Sequence, residues 1–187
     1  MVLTSSSRLS KKHRRIKRCF FIPRLDYRTV IYYSVLDKCF IEEIMNNKYK
    51  NFDWHSVGLN FGNWEESKIW ELNLPIEKMD VEELLWHLDI PYWENNDDVR
   101  WTITPRDVLN KEEGTSQEYE RMLQADTSYA IDVFFANGKW YVLDGLHRLA
   151  KLHAKGEKEI HVHKIPKERF HEIESKFPIE LPDECEK

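Results

Sequence analysis

The twenty residues from Ile131 to Ala150 constrain the fold more than any other stretch of the chain. Ile131, Val133 and Phe135 alternate with Asp132 and Phe134, as a strand with one firmly buried face should. Asn137-Gly138 follows, and a type I′ hairpin turn favours that pair because both central residues take positive φ. Trp140 to Leu143 is the return strand. Asp144-Gly145 breaks it, and Leu146, Leu149 and Ala150 open a helix that Gly156 can end in the left-handed position past its C-cap. Ile160 and Val162 then alternate with His161 and His163 in a further strand closed by Pro166. The strand–turn–helix–strand unit from Val142 to Ile165 can make a crossover.

Helix signals precede this unit. Asp80 with Glu83 three residues on reads as a capping box, and Val81, Leu84, Leu85 and Leu88 fall on one helical face stopped by Pro91. Thr104-Pro105 gives an N-cap and a proline at the first helical position. Thr115 and Glu118 form another capping box, with Tyr119, Met122 and Leu123 as the apolar stripe. Thr29 to Tyr33 has the residues of a strand, and Lys38 to Met45 can close a helix. Residues 51–70 read as loop, and a last helix runs from Lys167 to about Phe177 before an acidic tail.

A length of 187 residues suits one domain plus an extension, and 41% hydrophobic with 33% charged residues allows a packed core. The net charge of −5 conceals a basic arm: Arg8, Lys11, Lys12, Arg14, Arg15, Lys17 and Arg18 occur before any acid. Such an arm can bind nucleic acid or an acidic surface, although the acidic remainder disfavours DNA. No apolar run reaches the length of a membrane span. Cys19, Cys39 and Cys185 are widely spaced and form no C-x-x-C pair, which suits a reducing cytoplasm.

The chemistry concentrates in Asp144-Gly145-Leu146-His147-Arg148. The first N–H groups of the helix have no intrahelical acceptor, and the helix dipole adds partial positive charge. A phosphate there would meet backbone donors, His147 and the Arg148 guanidinium. Asp144 is placed to orient that arginine, hold a metal ion or take a proton. The plainer alternative is a turn with a surface ion pair. Trp86 to Trp93 gathers aromatics around an acid, so Asp89 and Trp93 are candidate pocket walls, with core packing as the alternative. His161 and His163 have a chelating spacing, but nothing nearby completes a set, so no dedicated metal site is expected.

Trp140 to Ala150, with Gly156 and the strand from Ile160 to Pro166, resembles the signature of the ParB/sulfiredoxin superfamily, whose members place a G-x-H-R or D-G-H-H-R turn on nucleotide phosphates. Leu74 to Met79 resembles the short strand that opens such domains. The resemblance implies an α+β fold with a small mixed sheet, a hairpin and surrounding helices. It divides the chain into a basic flexible arm (1–20), an unassigned extension (21–71), the domain (72–166), and a C-terminal helix with acidic tail (167–187). Leu146 stands where sulfiredoxins carry their reactive cysteine, which excludes sulfinic-acid reduction. The G-E-R-R turn of chromosome-partition ParB proteins is also absent. The free-serine-kinase branch matches at Asp144, Gly145, His147 and Arg148, and its upstream Pro-x-Glu matches Pro75-Ile76-Glu77; Leu146 departs from its first histidine. That resemblance implies a nucleoside tri- or diphosphate with Mg²⁺ and phosphoryl transfer to a small hydroxyl acceptor. Gly145, Leu146, His147 and Arg148 would hold phosphates, Asp144 the metal or proton, and Glu77 would be the base. The alternatives are a non-catalytic nucleotide-responsive module, or a nucleic-acid-binding ParB-like protein acting through residues 8–18.

Overall fold

The computed structural model describes residues 47–176. The basic arm, the Thr29–Tyr33 strand, the Lys38–Met45 helix, all three cysteines and the acidic tail lie outside the described residues. Within them run α1 (Trp54–Val57), α2 (Glu66–Glu71), β1 (Glu77–Asp80), a 3-10 helix (Val81–Asp89), α3 (Pro105–Leu109) and α4 (Ser116–Gln124). Then come β2 (Ile131–Ala136), β3 (Lys139–Asp144), α5 (Leu146–Ala154), β4 (Glu159–Ile165), a 3-10 turn (Lys167–Arg169) and α6 (Phe170–Ile173). The architecture is α+β.

Asn137 and Gly138 both take positive φ, 49° and 80°, and so close the β2–β3 hairpin as their pair requires. The four strands form one mixed sheet in the order β1-β4-β2-β3. β1 pairs antiparallel with β4, β4 parallel with β2, and β2 antiparallel with β3. The crossover expectation needs correcting in detail: α5 carries the chain from β3 past β2, so β3 and β4 are not neighbours, and the parallel pair is β2–β4.

β2 also departs from its expected one-sided pattern. Ile131 and Val133 pack with Met79, Leu84, Leu149 and Val162 on one face of the sheet. Phe134 packs with Ile69, Tyr141, Ile165 and Phe170 on the other. A central strand covered on both sides has no solvent face to mark with polar residues; Phe135, one residue past the last pair with β4, is 49% exposed while Phe134 is buried.

The capping signals separate cleanly. Thr104 and Asp107 close a full capping box around Pro105, and Asp80 caps the 3-10 helix through the Glu82 N–H while Glu83 stays exposed. Three residues per turn place Val81, Leu84 and His87 along one line, so His87 takes a core position and Leu85 only a half-buried one. The segment read as loop holds two short helices: α1, capped by Asp53 and ended by left-handed Gly58, and α2. The terminal helix is shorter than expected, a 3-10 turn followed by the four residues of α6.

Candidate functional site

The register of the hairpin shifts between Asp132 and Val133, so that Val133 faces Val142 while Asp132 faces Asp144. Such a bulge re-aims a side chain. Here it aligns Asp144 of β3 with Asp132 of β2, which in turn pairs with His163 of β4, giving one row of three polar residues across neighbouring strands. The chain then reverses at Gly145, whose φ of 101° lies in the left-handed region. α5 begins at once, its first backbone bond running from Leu149 N–H to the Gly145 carbonyl at 2.9 Å. The N–H groups of Leu146, His147 and Arg148 precede that bond and have no intrahelical acceptor.

Arg148 folds back over Gly145. A Cβ at that glycine would come within 2.7 Å of Arg148 Nη2, so the guanidinium occupies the space a side chain would need. Its Nη2 donates to Asp144 Oδ2 at 3.1 Å and lies 3.8 Å from Asp132 Oδ2. Its Nε is buried and has no hydrogen-bond partner among the described residues. The indole of Trp70 donates to the same Asp144 oxygen at 3.0 Å. Asp132, only 5% exposed, bonds His163 Nδ1 at 3.0 Å. Burial pushes the Asp132 carboxyl above its ordinary pKa, against the pull of His163 and Arg148, and the charge of Asp144 adds to the rise. Burial, aided by Asp144, also raises Glu66.

His147 points away from this row. Its Nε2 lies 2.6 Å from Glu118 Oε2, and its ring stacks on Trp93 at 4.4 Å between centroids and 10° between planes. Glu118 is 2% exposed and also binds Arg121. The sequence reading missed this acid by assigning it to a cap. Thr115 instead donates its hydroxyl to the Glu112 carbonyl, freeing the Glu118 carboxylate for the imidazole. The available signal was positional: Thr115, Glu118 and Met122 share the buried stripe of α4.

His87 was likewise missed. Its Nε2 accepts from the Val142 N–H at 3.0 Å, which leaves Nδ1–H to donate to the Tyr92 hydroxyl at 3.1 Å. Burial, reinforced by the charge of Lys139, pushes its pKa down to about 3, so the ring is neutral at pH 7.

Three cavities meet at the turn, and Asp144 lines all of them. The largest, about 560 Å³, is walled by Trp64, Tyr92, Trp93, Trp101 and Leu146. A second, about 350 Å³, sits at the start of α5 between Arg121, Tyr129, His147 and Arg148. The third, about 410 Å³, is lined by Trp70, Tyr129, Asp132, Arg148 and His163.

The structure thus brings together Asp144, Gly145, Leu146, His147, Arg148 and Trp93. It does not bring Glu77 or Asp89 to them. β1 and β3 are the two edge strands, three spacings or roughly 14 Å apart, and the Glu77 carboxylate is paired with Lys164 at 2.8 Å. Asp89 is exposed and held by Arg106; of the two candidate pocket walls, Trp93 lines the largest of these three cavities and Asp89 lines none of the three. His161 is exposed, and His163 is committed to Asp132. Among the described residues no group of three or more His, Cys, Asp or Glu side chains is placed to hold a metal ion, and no helix is long and apolar enough to cross a membrane. No family model, curated protein or solved structure matches the chain.

Proposed function

We propose that the Asp144–Arg148 turn binds the phosphates of a nucleotide, in a domain of the ParB/sulfiredoxin type. The observation that carries this reading is the buried Arg148 Nε without an acceptor. A buried cationic donor left unpaired costs about 1–3 kcal/mol or more, and an anionic oxygen removes that cost. The surroundings support the same reading. The second cavity holds the start of a nine-residue helix, whose unsatisfied N–H groups and dipole favour an anion, and Arg121 adds a second guanidinium. His147, held through Nε2 by Glu118, stands at the wall of the same cavity.

Mg²⁺ is bound in nucleotide sites by one or two carboxylates together with phosphate oxygens. Asp144, which lines the cavities on both sides of the turn, can supply one such carboxylate; a bound ion would neutralise charge on the phosphate oxygens. The protein's own part in a phosphotransferase is then to position the nucleotide through Gly145, Leu146, His147 and Arg148 and to accept a proton from a small hydroxyl acceptor. A non-catalytic nucleotide-responsive module is the second reading, favoured by the Lys164 pairing of Glu77 at the far edge of the sheet.

Calorimetric titration of ATP, ADP and CTP, each with Mg²⁺, tests the phosphate site. Wild type is expected to bind at least one, and Arg148→Ala to lose it by tenfold or more. Absence of binding to folded wild type overturns the reading. Glu77→Ala is expected to leave that affinity unchanged.

A further inference from the structure

We infer that His163, oriented by Asp132, is the proton acceptor for a hydroxyl compound bound in the cavity between Trp70 and Tyr129; the inference rests on the phosphate-turn reading. Asp132 is almost fully buried and meets His163 Nδ1 at 3.0 Å. A carboxylate can only accept, so Nδ1 carries the hydrogen and the lone pair is left on Nε2. The second ring nitrogen is the one that does chemistry when an acid fixes the first, which is the arrangement of a base with its orienting group. His163 lines the cavity of about 410 Å³, and its side chain is 27% accessible.

The cavity has a distinct composition. Trp70 and Tyr129, 68% and 67% exposed, stand at its lip, and Ile69 and Leu72 line it further. Its polar groups are Asp132, Asp144, Arg148 and His163. Tyr129, Asp144 and Arg148 also line the cavity at the start of α5. A terminal phosphate on one side of Arg148 and an acceptor on the other would share that guanidinium. The acceptor class that fits is a small alcohol with an apolar or planar portion resting against the two exposed rings. In the step, His163 Nε2 takes the proton as the acceptor O–H bond breaks. The oxygen forms a bond to the terminal phosphorus, and the phosphorus–oxygen bond to the nucleoside diphosphate breaks, leaving its electron pair on the diphosphate.

The reading gives Asp132 a positioning role with its own signature. In Asp132→Asn the side-chain amide can donate to Nδ1, which places the hydrogen on Nε2 and removes the base. Long-range proton–nitrogen NMR of the imidazoles reports the tautomer, calorimetry reports Mg-ATP binding, and phosphate release from Mg-ATP with water as acceptor reports turnover. Wild type is expected to show His163 as the Nδ1–H form, and Asp132→Asn the Nε2–H form. Asp132→Asn and His163→Gln should bind Mg-ATP within about threefold of wild type and lose turnover about 100-fold or more. Circular dichroism confirms folding of the variants, and the wild-type tautomer stands as a test without them. A wild-type Nε2–H tautomer overturns the proposal, as does turnover that is undetectable in wild type or survives in both variants. Failure of ATP, ADP and CTP alike to bind wild type instead overturns the phosphate-turn reading and this inference with it, and ATP failing where CTP binds moves the same turnover assay to Mg-CTP.

Discussion

Arg148 and Gly145 occupy one volume between them, since the guanidinium rests where a Cβ on Gly145 would project. Gly145→Ala therefore meets two penalties: a left-handed conformation that L residues adopt only with strain, and a contact of 2.7 Å that displaces the arginine. The expected outcome is a loss of about 1–3 kcal/mol in urea denaturation, together with a tenfold or greater loss of nucleotide affinity by calorimetry. This turn was legible in the sequence because its logic is local: a strand ends, a glycine reverses the chain, and a helix starts. The partners of its side chains were not. Glu118 lies 29 positions from His147, and Asp132 and His163 reach Asp144 only through strand pairing and a bulge. What pattern reading supplied was the anchor of the site; tertiary structure supplied the acids around it.

Two elements carry the same Thr-x-x-acid pattern and end differently. At α3 the Thr104 hydroxyl accepts from the Asp107 N–H at 3.1 Å, and the Asp107 carboxylate accepts from the Thr104 N–H at 2.8 Å. At α4 the acid turns inward to His147, because a charge-assisted bond in a buried setting outweighs a reciprocal cap. Asp107 also accepts from the Tyr49 hydroxyl and from Lys48, tying the start of the described chain to α3. Thr104→Ala is expected to lower stability by about 1 kcal/mol. Asp107→Ala should lower it by about 2–3 kcal/mol, since three donors lose their acceptor at once. Urea midpoints of the two variants give the comparison, and equal losses would show that the Tyr49 and Lys48 contacts add nothing. Helix positions were thus readable from capping residues, while the fate of each capping acid depended on what the fold set opposite it.

At the scale of the whole molecule, the strand order decides which expected site residues meet. Nothing in the local pattern of residues 74–79 says that β1 joins at the edge opposite β3, so Glu77 was assigned by resemblance and is placed by topology. The same non-local assembly sets the response to acid. His87 joins the 3-10 helix to β3 through the Val142 N–H, and burial holds its pKa near 3 against an ordinary value of 6.5. Between those values the unfolded chain binds a proton that the folded protein refuses, so stability is lost as pH falls from about 6.5 toward 3, by at most about 5 kcal/mol in total. Two carboxyls modify the lower end. Burial raises Asp132, so it recovers stability as pH falls toward 3.8 and opposes His87. Asp107 is pushed up by burial but pulled down further by Lys48, Thr104 and Tyr49, so its contribution is lost below about 4. His87→Gln isolates the histidine, because the amide oxygen can accept from Val142 and does not titrate. The stability gap between wild type and variant, read from urea denaturation at pH 7, 6, 5 and 4, is expected to move in the variant's favour by up to about 1.4 kcal/mol per unit below pH 6.5. Parallel profiles would place the acid sensitivity elsewhere, and would mean that the sheet opens to protonate His87 without global unfolding.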